Sequence, residues 1–414
     1  MPTVIAAKRD AGLTIVIVGG GHAAGQAAAS LRQEGYDEAI VVVGDEPHLP
    51  YQRPPLSKEY LAGEQGLDRI HLRPQKFYAD RDIEVRSGVR VSAIDRARNA
   101  VICDDDTTLP YDRLLLATGS RPRRLDVPGC DLAGVCLLRT IADADSIREK
   151  LKAGAKLVIV GGGYIGLEVA SVAVQHGLDV TVLEMEERIL ARVTTPAMSA
   201  FYHRLHTGKG VTIRTGARAA AFAGNGRLAE VRCDDGTSVS ADLAVVGVGI
   251  VPNVELAEEA GLACDNGIVV DERAGTADER IYAAGDCTNH PNRLLGRRLR
   301  LESVPNAMEQ SRVAAANMAG GERTYASVPW FWSDQYDLKL QMVGFSTDAE
   351  HEVVRGDPDE ETFATFHFRG DTLIAADAVN RPREFMVARQ LVGRTVDTSR
   401  LADPATDLKS LLSG

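Results

Sequence analysis

The sequence predicts an α/β protein of three parts: two parallel-sheet domains built from β–α–β units, then a small α+β domain at the carboxyl end. Three observations predict it. One pattern occurs twice: a short apolar run, a glycine-rich turn opening a helix, then a second apolar run closing on an acid. The apolar runs are rich in Val and Ile and do not alternate with polar residues, as strands buried on both faces of a parallel sheet require. From residue 329 onward the pattern changes to aromatic and alternating segments, which suit an antiparallel sheet.

The elements follow in chain order. Residues 13–18 (LTIVIV) form the first strand, and Gly19-Gly20-Gly21-His22-Ala23-Ala24-Gly25 leads into an Ala-rich helix. Residues 40–43 form the next strand and close on Gly44-Asp45-Glu46. The second copy runs from 157–160 (LVIV) through Gly161-Gly162-Gly163-Tyr164-Ile165-Gly166 and a helix reaching Gln175, to a strand at 180–183 closing on Glu184. Between the copies lie strand-like segments at 89–94, around Val101, and at 114–117, the last ending in Thr118-Gly119. Beyond the second copy, 243–248 ends at Gly249, 281–284 ends in Gly285-Asp286, and 306–318 is helical. Trp330-Phe331-Trp332 opens the last part. There 361–368 and 372–379 flank Arg369-Gly370-Asp371 as a hairpin, and a helix covers 383–392. The expected domains are 1–119 with 251–328, then 120–250, then 329–414. The hairpin position discounts the Arg-Gly-Asp tripeptide as an adhesion signal.

The chain has 414 residues, 47 Lys and Arg against 58 Asp and Glu, and a net charge of −11. Such a balance argues against broad nucleic-acid or anionic-membrane binding, while leaving room for a local basic patch. Hydrophobic content of 44% and charged content of 25% are ordinary for a globular protein. Six cysteines are scattered without a C-x-x-C spacing, so they form neither a disulfide framework nor a metal ligand set. The opening MPTVIAAKRDAG is too short and too soon charged for a signal peptide. Residues 157–174 are glycine-rich and interrupted by Glu168, a poor membrane span. A cytoplasmic location is expected. Asp104-Asp105-Asp106 cannot converge on one metal ion, so no metal site is expected.

The glycines carry the first functional signal. In such a turn the first Gly permits the tight strand-to-helix reversal and the second lets backbone approach a pyrophosphate. The third small residue lets helix and strand pack closely, while the helix N-terminus offers N–H groups to the anion. The first copy has Gly19, Gly21 and Ala24; the second has Gly161, Gly163 and Gly166. One such fingerprint is a weak signal. Two, each placed between a strand and a helix and each followed by an acid that can accept from a ribose diol, define two Rossmann-like dinucleotide-binding domains. Glu184, followed by Met185-Glu186-Glu187, would repel a 2′-phosphate, so NADH is expected over NADPH.

Seven segments carry a resemblance: PYQRPPLSKEYL (50–61), LLLATGSRPR (114–123), VIVGGGYIGLEVA (158–170), IYAAGDC (281–287), LESVPNAMEQ (301–310), PWFWSDQYDLKLQMVGF (329–345) and DAVNRPREF (377–385). The chain resembles, nearly end to end, the FAD-dependent NADH:ferredoxin reductases of the putidaredoxin reductase type, within the pyridine nucleotide-disulfide oxidoreductase superfamily. The resemblance implies a glutathione-reductase-like pair of domains, the first for FAD and the second for NAD, with a carboxyl-terminal interface domain.

It also implies residue roles. Gly19, Gly21, Ala23 and Asp45 would hold the FAD pyrophosphate and ribose. Val91 would meet the adenine, and Arg53, Thr118, Gly119, Arg139, Asp286 and the Val304 N–H would complete the site. His22 falls in the same phosphate loop, where packing alone would also account for it. Gly161, Gly163, Tyr164, Ile165, Gly166 and Glu184 would hold NAD. Lys58 would approach the flavin N5 edge and pair with Glu168, which orients the nicotinamide carboxamide. Glu168 lies five residues beyond Gly163 on a largely apolar helix, so plain solvation suits it poorly. Tyr164 either gates the nicotinamide path or packs against the sheet. Trp332 either edges the flavin or belongs to the aromatic core.

Absent residues narrow the chemistry. Relatives that reduce disulfides or peroxides use a cysteine in or near the helix after the first unit; here Ser57-Lys58 occupies that stretch and the first cysteine is Cys103. Electrons must therefore leave the flavin directly. The implied reaction takes hydride from NADH to FAD, then passes electrons singly to a 2Fe–2S ferredoxin serving a haem-thiolate mono-oxygenase or a ring-hydroxylating dioxygenase. Such ferredoxins are acidic, so docking is expected near Arg293, Arg297, Arg298, Arg300, Arg312, Lys339 and the Arg69/Arg73 segment. Two alternatives stay open: reduction of another one-electron acceptor (rubredoxin or monodehydroascorbate), and a redox-sensing interaction protein resembling apoptosis-inducing factor.

Overall fold

The computed structural model describes residues 13–413. The segment MPTVIAAKRDAG, read above as no signal peptide, lies outside the described residues. The chain divides into two compact units. The first takes the chain up to Arg53, with Leu67–Arg121 and Val251–Pro329; the second takes Pro54–Gly66, Pro122–Ile250 and Trp330–Gly414.

The first unit is built on a five-stranded sheet in the order Ile281–Ala283, Arg113–Leu116, Ile15–Val18, Ile40–Gly44, Ile83–Ser87. Every neighbouring pair is parallel. The strand Ile15–Val18 is buried along its whole length, which explains its unbroken β-branched sequence. The helix His22–Gln33 lies against the helix Val304–Met318 through Ala24, Ala27 and Ala28 on one side and Ala307, Ala314 and Ala315 on the other. Alanines permit that close approach. The second helix starts where its sequence dictates: Ser303 accepts from the Asn306 N–H at 3.2 Å, and Pro305 occupies the first turn.

The second unit repeats the plan. Its parallel sheet runs Thr212–Arg214, Asp179–Leu183, Lys156–Val160, Leu243–Val246, Val135–Cys136. The carboxyl-terminal part forms a five-stranded antiparallel sheet, Trp330–Gln335, Leu338–Gly344, Thr372–Val379, Thr362–Arg369, His351–Asp357. One apolar core joins the two sheets: Leu157, Ile159 and Val245 from the parallel sheet pack in the same cluster as Leu338, Leu340 and Val379. Leu61, from the short segment after the 3₁₀ turn Pro54–Ser57, enters that cluster too.

The expected hairpin is present, with Thr362–Arg369 paired antiparallel to Thr372–Val379 and Gly370 at its tip. The expected helix at 383–392 spans Pro382–Leu391. Helices Ile141–Arg148 and Pro196–Gly208 and strand His351–Asp357 were not anticipated from the sequence. The strand is exposed along one edge and carries little apolar pattern. No helix among the described residues is long and apolar enough to cross a membrane.

Candidate functional site

Both glycine turns take the shape their residues foretell. Gly19 sits at φ +136°, and a Cβ there would lie 2.2 Å from the Ala117 carbonyl oxygen. Gly161 sits at φ +109°, where a Cβ would lie 2.5 Å from the Gly247 carbonyl oxygen. Only glycine fits either place. At the second glycine of each loop the case differs: a Cβ on Gly163 would meet nothing within 4 Å, and one on Gly21 only the Arg53 Nε at 3.8 Å. Open space at that position is what a pyrophosphate needs to reach the backbone. Gly21 and Gly163 cap their helices with no side-chain hydrogen bond, so the first-turn N–H groups face that space. Gly166 lets helix and strand close up, since a Cβ there would sit 2.3 Å from the Gly161 oxygen.

The acids after the second strands behave differently in the two units. Glu184 is tied to its own loop: Oε2 accepts from the Gly162 N–H at 2.7 Å and Oε1 from the Glu186 N–H at 2.8 Å. It reaches the phosphate turn from the end of the neighbouring strand, with exposed Met185 beside it. In the first unit Asp45 is exposed, and the next residue, Glu46, is held by the Tyr51 hydroxyl at 2.6 Å and the Arg53 guanidinium at 2.7 Å. Burial opposes the charged form of Arg53, but Tyr51, Glu46 and Asp286 favour it and together raise the guanidinium above its usual value. His22 is buried in the first turn of its helix, and Ala23 and Val91 are buried beside the sheet.

The first unit gathers further expected residues at the carboxyl ends of its strands. Asp286 follows Gly285 and accepts from the Ser120 hydroxyl at 2.9 Å. Gln310 fixes that turn by accepting from the Gly285 N–H and the Thr288 hydroxyl, each at 2.9 Å. Thr118 donates to the Asn253 carbonyl at 2.6 Å, Asn253 returns a bond to the Thr118 carbonyl, and the Asn253 N–H reaches the Gly119 carbonyl. Val304 stands at the first position of its helix, where the N–H has no intrahelical partner. Arg139 belongs to the second unit, just ahead of the helix Ile141–Arg148, with its N–H on the Asp143 carboxylate.

The second unit holds a buried ion pair. Lys58 Nζ lies 2.7 Å from Glu168 Oε2, with side-chain exposures of 10% and 1%. The Ser57 hydroxyl donates to the same oxygen at 2.5 Å, and the Ser333 hydroxyl donates to Oε1 at 2.6 Å. Burial pushes the Glu168 carboxyl up, and Lys58 with the two serines pulls it back. An ionised carboxylate this deep persists only with such partners. Ser57 and Ser333 were not singled out from the sequence, although both stand inside quoted motifs. Tyr164, one helical turn before Glu168, donates to the Met342 sulfur at 2.8 Å and tilts against Phe331 at 5.3 Å. Burial holds its phenol well above the usual range. Ile165 is 45% exposed beside it. Trp332 lies in strand Trp330–Gln335, tilted against Trp330 at 5.8 Å.

None of the six cysteines is in a disulfide, and burial raises the Cys287 thiol above its usual range. Of the arginines expected at a docking surface, Arg69, Arg293, Arg297, Arg298 and Arg312 are all exposed, and they differ in what they already hold. Arg298 turns its guanidinium onto the Val270 and Asn289 carbonyls. Arg300 pairs with Glu302 at 2.6 Å and is only 12% exposed. Arg293 pairs with Glu272, Arg73 lies over the Phe77 ring, Arg69 is exposed, and Lys339 is exposed on a strand of the second unit.

Two glycine cradles for pyrophosphates, each at a parallel sheet's switch from strand to helix, with a buried Lys–Glu pair and no paired thiols, define a reductase that works with two dinucleotides. A family profile described as pyridine nucleotide-disulphide oxidoreductase matches residues 13–311, and one described as reductase C-terminal matches 330–412. Rhodocoxin reductase of Rhodococcus erythropolis is 45% identical over 96% of this chain and 94% of its own. The ferredoxin–NAD(+) reductase component of the anthranilate 1,2-dioxygenase system of Burkholderia cepacia is 46% identical over 96% and 98%. The crystal structure of the covalent putidaredoxin reductase–putidaredoxin complex superposes with a TM-score of 0.94 at 43% identity, covering 98% of this chain and 99% of that one. The chain belongs to the pyridine nucleotide-disulphide oxidoreductase family, and its two dinucleotides are FAD and NAD(H).

Proposed function

We propose that this protein is an NADH-dependent flavoprotein reductase that passes electrons through FAD, one at a time, to a 2Fe–2S ferredoxin serving a haem-thiolate mono-oxygenase or a ring-hydroxylating dioxygenase. The carrying observation is the buried Lys58–Glu168 pair, set at the turn where a thiol-based relative would place its cysteine. When bound, FAD supplies a ring that takes two electrons as hydride and gives them up singly.

The chain's residues do the rest. Gly19, Gly21 and the first turn of helix His22–Gln33 cradle the FAD pyrophosphate, with Ala23 and Val91 lining the adenosine side and Asp45 on the ribose. Thr118, Gly119, Asp286 and the Val304 N–H hold the other end of the cofactor, and Arg53 stands beside the loop, anchored by Glu46. Gly161, Gly163, Ile165 and Gly166 present the second cradle to NADH, and Glu184 takes the ribose diol. Lys58 keeps a positive charge at the hydride site, and Glu168 holds that ammonium in place while orienting the carboxamide. Tyr164, fixed by Met342 and Phe331, shapes the entrance for nicotinamide. Electrostatic help of this kind acts on the charge that develops as hydride moves.

Exposed Arg297 and Arg312 are the proposed contact for an acidic ferredoxin. Arg298 and Arg300 brace the short strand that Arg297 opens. The test is direct: with NADH, cytochrome c reduction by this protein alone is slow and rises sharply when a 2Fe–2S ferredoxin such as putidaredoxin is added. Failure of every ferredoxin tried to stimulate it would overturn the assignment.

A further inference from the structure

Glu168 is the end of a longer buried chain. Ser333, which donates to it, in turn accepts from the Gln335 amide at 3.1 Å. Gln335 Oε1 lies 2.8 Å from His206 Nε2, and His206 Nδ1 lies 3.0 Å from the Tyr336 hydroxyl. Ser333 and His206 are wholly buried and Gln335 is 1% exposed. Five side chains from one helix, a strand, its turn and a second helix therefore make one continuous line.

The protons along this line have only one consistent arrangement while Glu168 is ionised and the His206 ring is neutral. A carboxylate only accepts, so the Ser333 hydroxyl donates to it. The Ser333 oxygen must then receive from the amide nitrogen of Gln335, which turns the amide oxygen toward His206. That oxygen only accepts, so His206 carries its proton on Nε2 and leaves Nδ1 bare. Tyr336 must then donate to Nδ1. Every donor points toward Glu168. We propose that Tyr336, His206, Gln335 and Ser333 form a polarised donor chain that keeps Glu168 ionised and oriented for its bond to Lys58, making His206 and Gln335 positioning residues of the hydride site.

The chain orients and does not conduct, because Gln335 offers no titrating proton to hand on. Its members suit that task. Burial lowers the His206 imidazole to about 4, keeping it neutral, with the Gln335 bond opposing and His203 adding to the depression. Aligned donors strengthen one another, and the last bond, to a charged acceptor, is the strongest. The far end is anchored: Tyr336 is held at φ +56°, an unusual setting for a bulky residue, and its N–H is fixed on the Ser171 hydroxyl at 2.7 Å. The charged and titratable groups facing the line are Lys58 on Glu168, Tyr202 on the neighbouring helix (itself acted on by Asp334), His203 near His206, and Lys209 over the Tyr336 ring at 5.5 Å.

This inference rests on the proposed role of the Lys58–Glu168 pair, and two measurements separate their fates. Nitrogen-15 NMR of the histidine-labelled FAD-loaded protein is expected to show His206 as the neutral Nε2–H tautomer throughout neutral pH. An Nδ1–H tautomer or an imidazolium overturns the chain, whatever the enzyme does. In stopped flow, His206→Phe and Gln335→Leu are expected to slow flavin reduction by NADH roughly threefold to tenfold and to move the acid limb of the rate up by about half a pH unit. His206→Gln, which keeps an N–H donor and an acceptor, should restore the limb. Rates and limbs unchanged in folded His206→Phe, while Glu168→Gln is slow in the same assay, overturn the chain and leave the hydride site standing. If Glu168→Gln is itself as fast as wild type, the hydride-site reading fails, and the NMR still decides the chain.

Discussion

Lys58 is the single residue on which the proposed chemistry turns, and its surroundings say how it should fail. Replacing it by Met removes the only cation that, among the described residues, is bonded to Glu168, a carboxylate that is 1% exposed. Breaking one partner of a buried pair leaves an uncompensated charge, so Lys58→Met is expected to cost about 3 kcal/mol of stability unless Glu168 takes up a proton. Flavin reduction by NADH should slow roughly 10–100-fold in stopped flow with the fold retained, because the lost charge acts on the developing transition state. An unchanged rate would remove Lys58 from the hydride site. Glu184 gives a second test. Its carboxylate is bonded to the Gly162 N–H, beside the second cradle, so Glu184→Arg is expected to weaken NADH use and raise NADPH use, each about tenfold in kcat/KM. Glu184 was legible in the sequence because it closes the strand that follows a glycine turn, whereas Lys58 was legible only through the resemblance carried by segment 50–61. Ser57 and Ser333 were not, because their bonds to Glu168 span 111 and 165 residues and exist only once the unit is folded.

Elements carry the next set of consequences. The turn after strand Lys156–Val160 needs glycine for space and for φ, so Gly161→Ala is expected to destabilise the protein by about 2 kcal/mol and to abolish NADH binding, measured by thermal melting and by titration of NADH. Strand Thr362–Arg369 carries a different device. His367, wholly buried, lies 3.1 Å from Asp377 Oδ2 and 3.5 Å from Glu352 Oε1. Burial lowers its affinity for a proton, but the two acids outweigh burial and push it up to about 9. A base raised in the folded state stabilises the protein fully below its unfolded value, about 6.5, and loses that contribution as pH rises through about 9. Melting temperature should therefore fall across that window, and His367→Gln should flatten the fall. The sequence showed the strand and its hairpin partner plainly, since period-two patterning and a turn glycine suffice for that. It did not show His367 meeting Asp377, because which residues face each other depends on register. Helix Pro196–Gly208 was missed for a related reason: its sequence, PAMSAFYHRLHTG, has no glycine fingerprint beside it, though Thr195 and Pro196 were a usable start signal.

At the scale of the whole molecule the governing quantity is charge, and the net value misleads. With 58 acidic against 47 basic residues the protein repels an acidic partner at long range. Docking such a partner needs a local surface of the other sign, and the structure sorts the sequence's eight candidate cations by what they already hold. Arg298 and Arg300 are committed to carbonyls and to Glu302, and Arg293 to Glu272. Arg297 and Arg312 are exposed on the first unit, as is Arg69, and Lys339 is exposed on the second. Clustering along the chain could suggest the patch, but only the fold could separate the arginines that brace a loop from those that face solvent. The expected behaviour has two parts. Arg312→Glu should raise KM for an acidic 2Fe–2S ferredoxin about tenfold while leaving reduction of flavin by NADH unchanged, because the cation acts on docking and not on hydride transfer. For the unaltered protein, raising salt from about 0.01 M to about 0.3 M shortens the screening length from about 30 Å to less than 8 Å, so that same KM should climb with ionic strength. Arg312→Glu should flatten that climb, since it removes an attraction that salt would otherwise screen. A ferredoxin KM that ignores both salt and the substitution would show that docking rests on apolar contact and that the exposed arginines take no part in it.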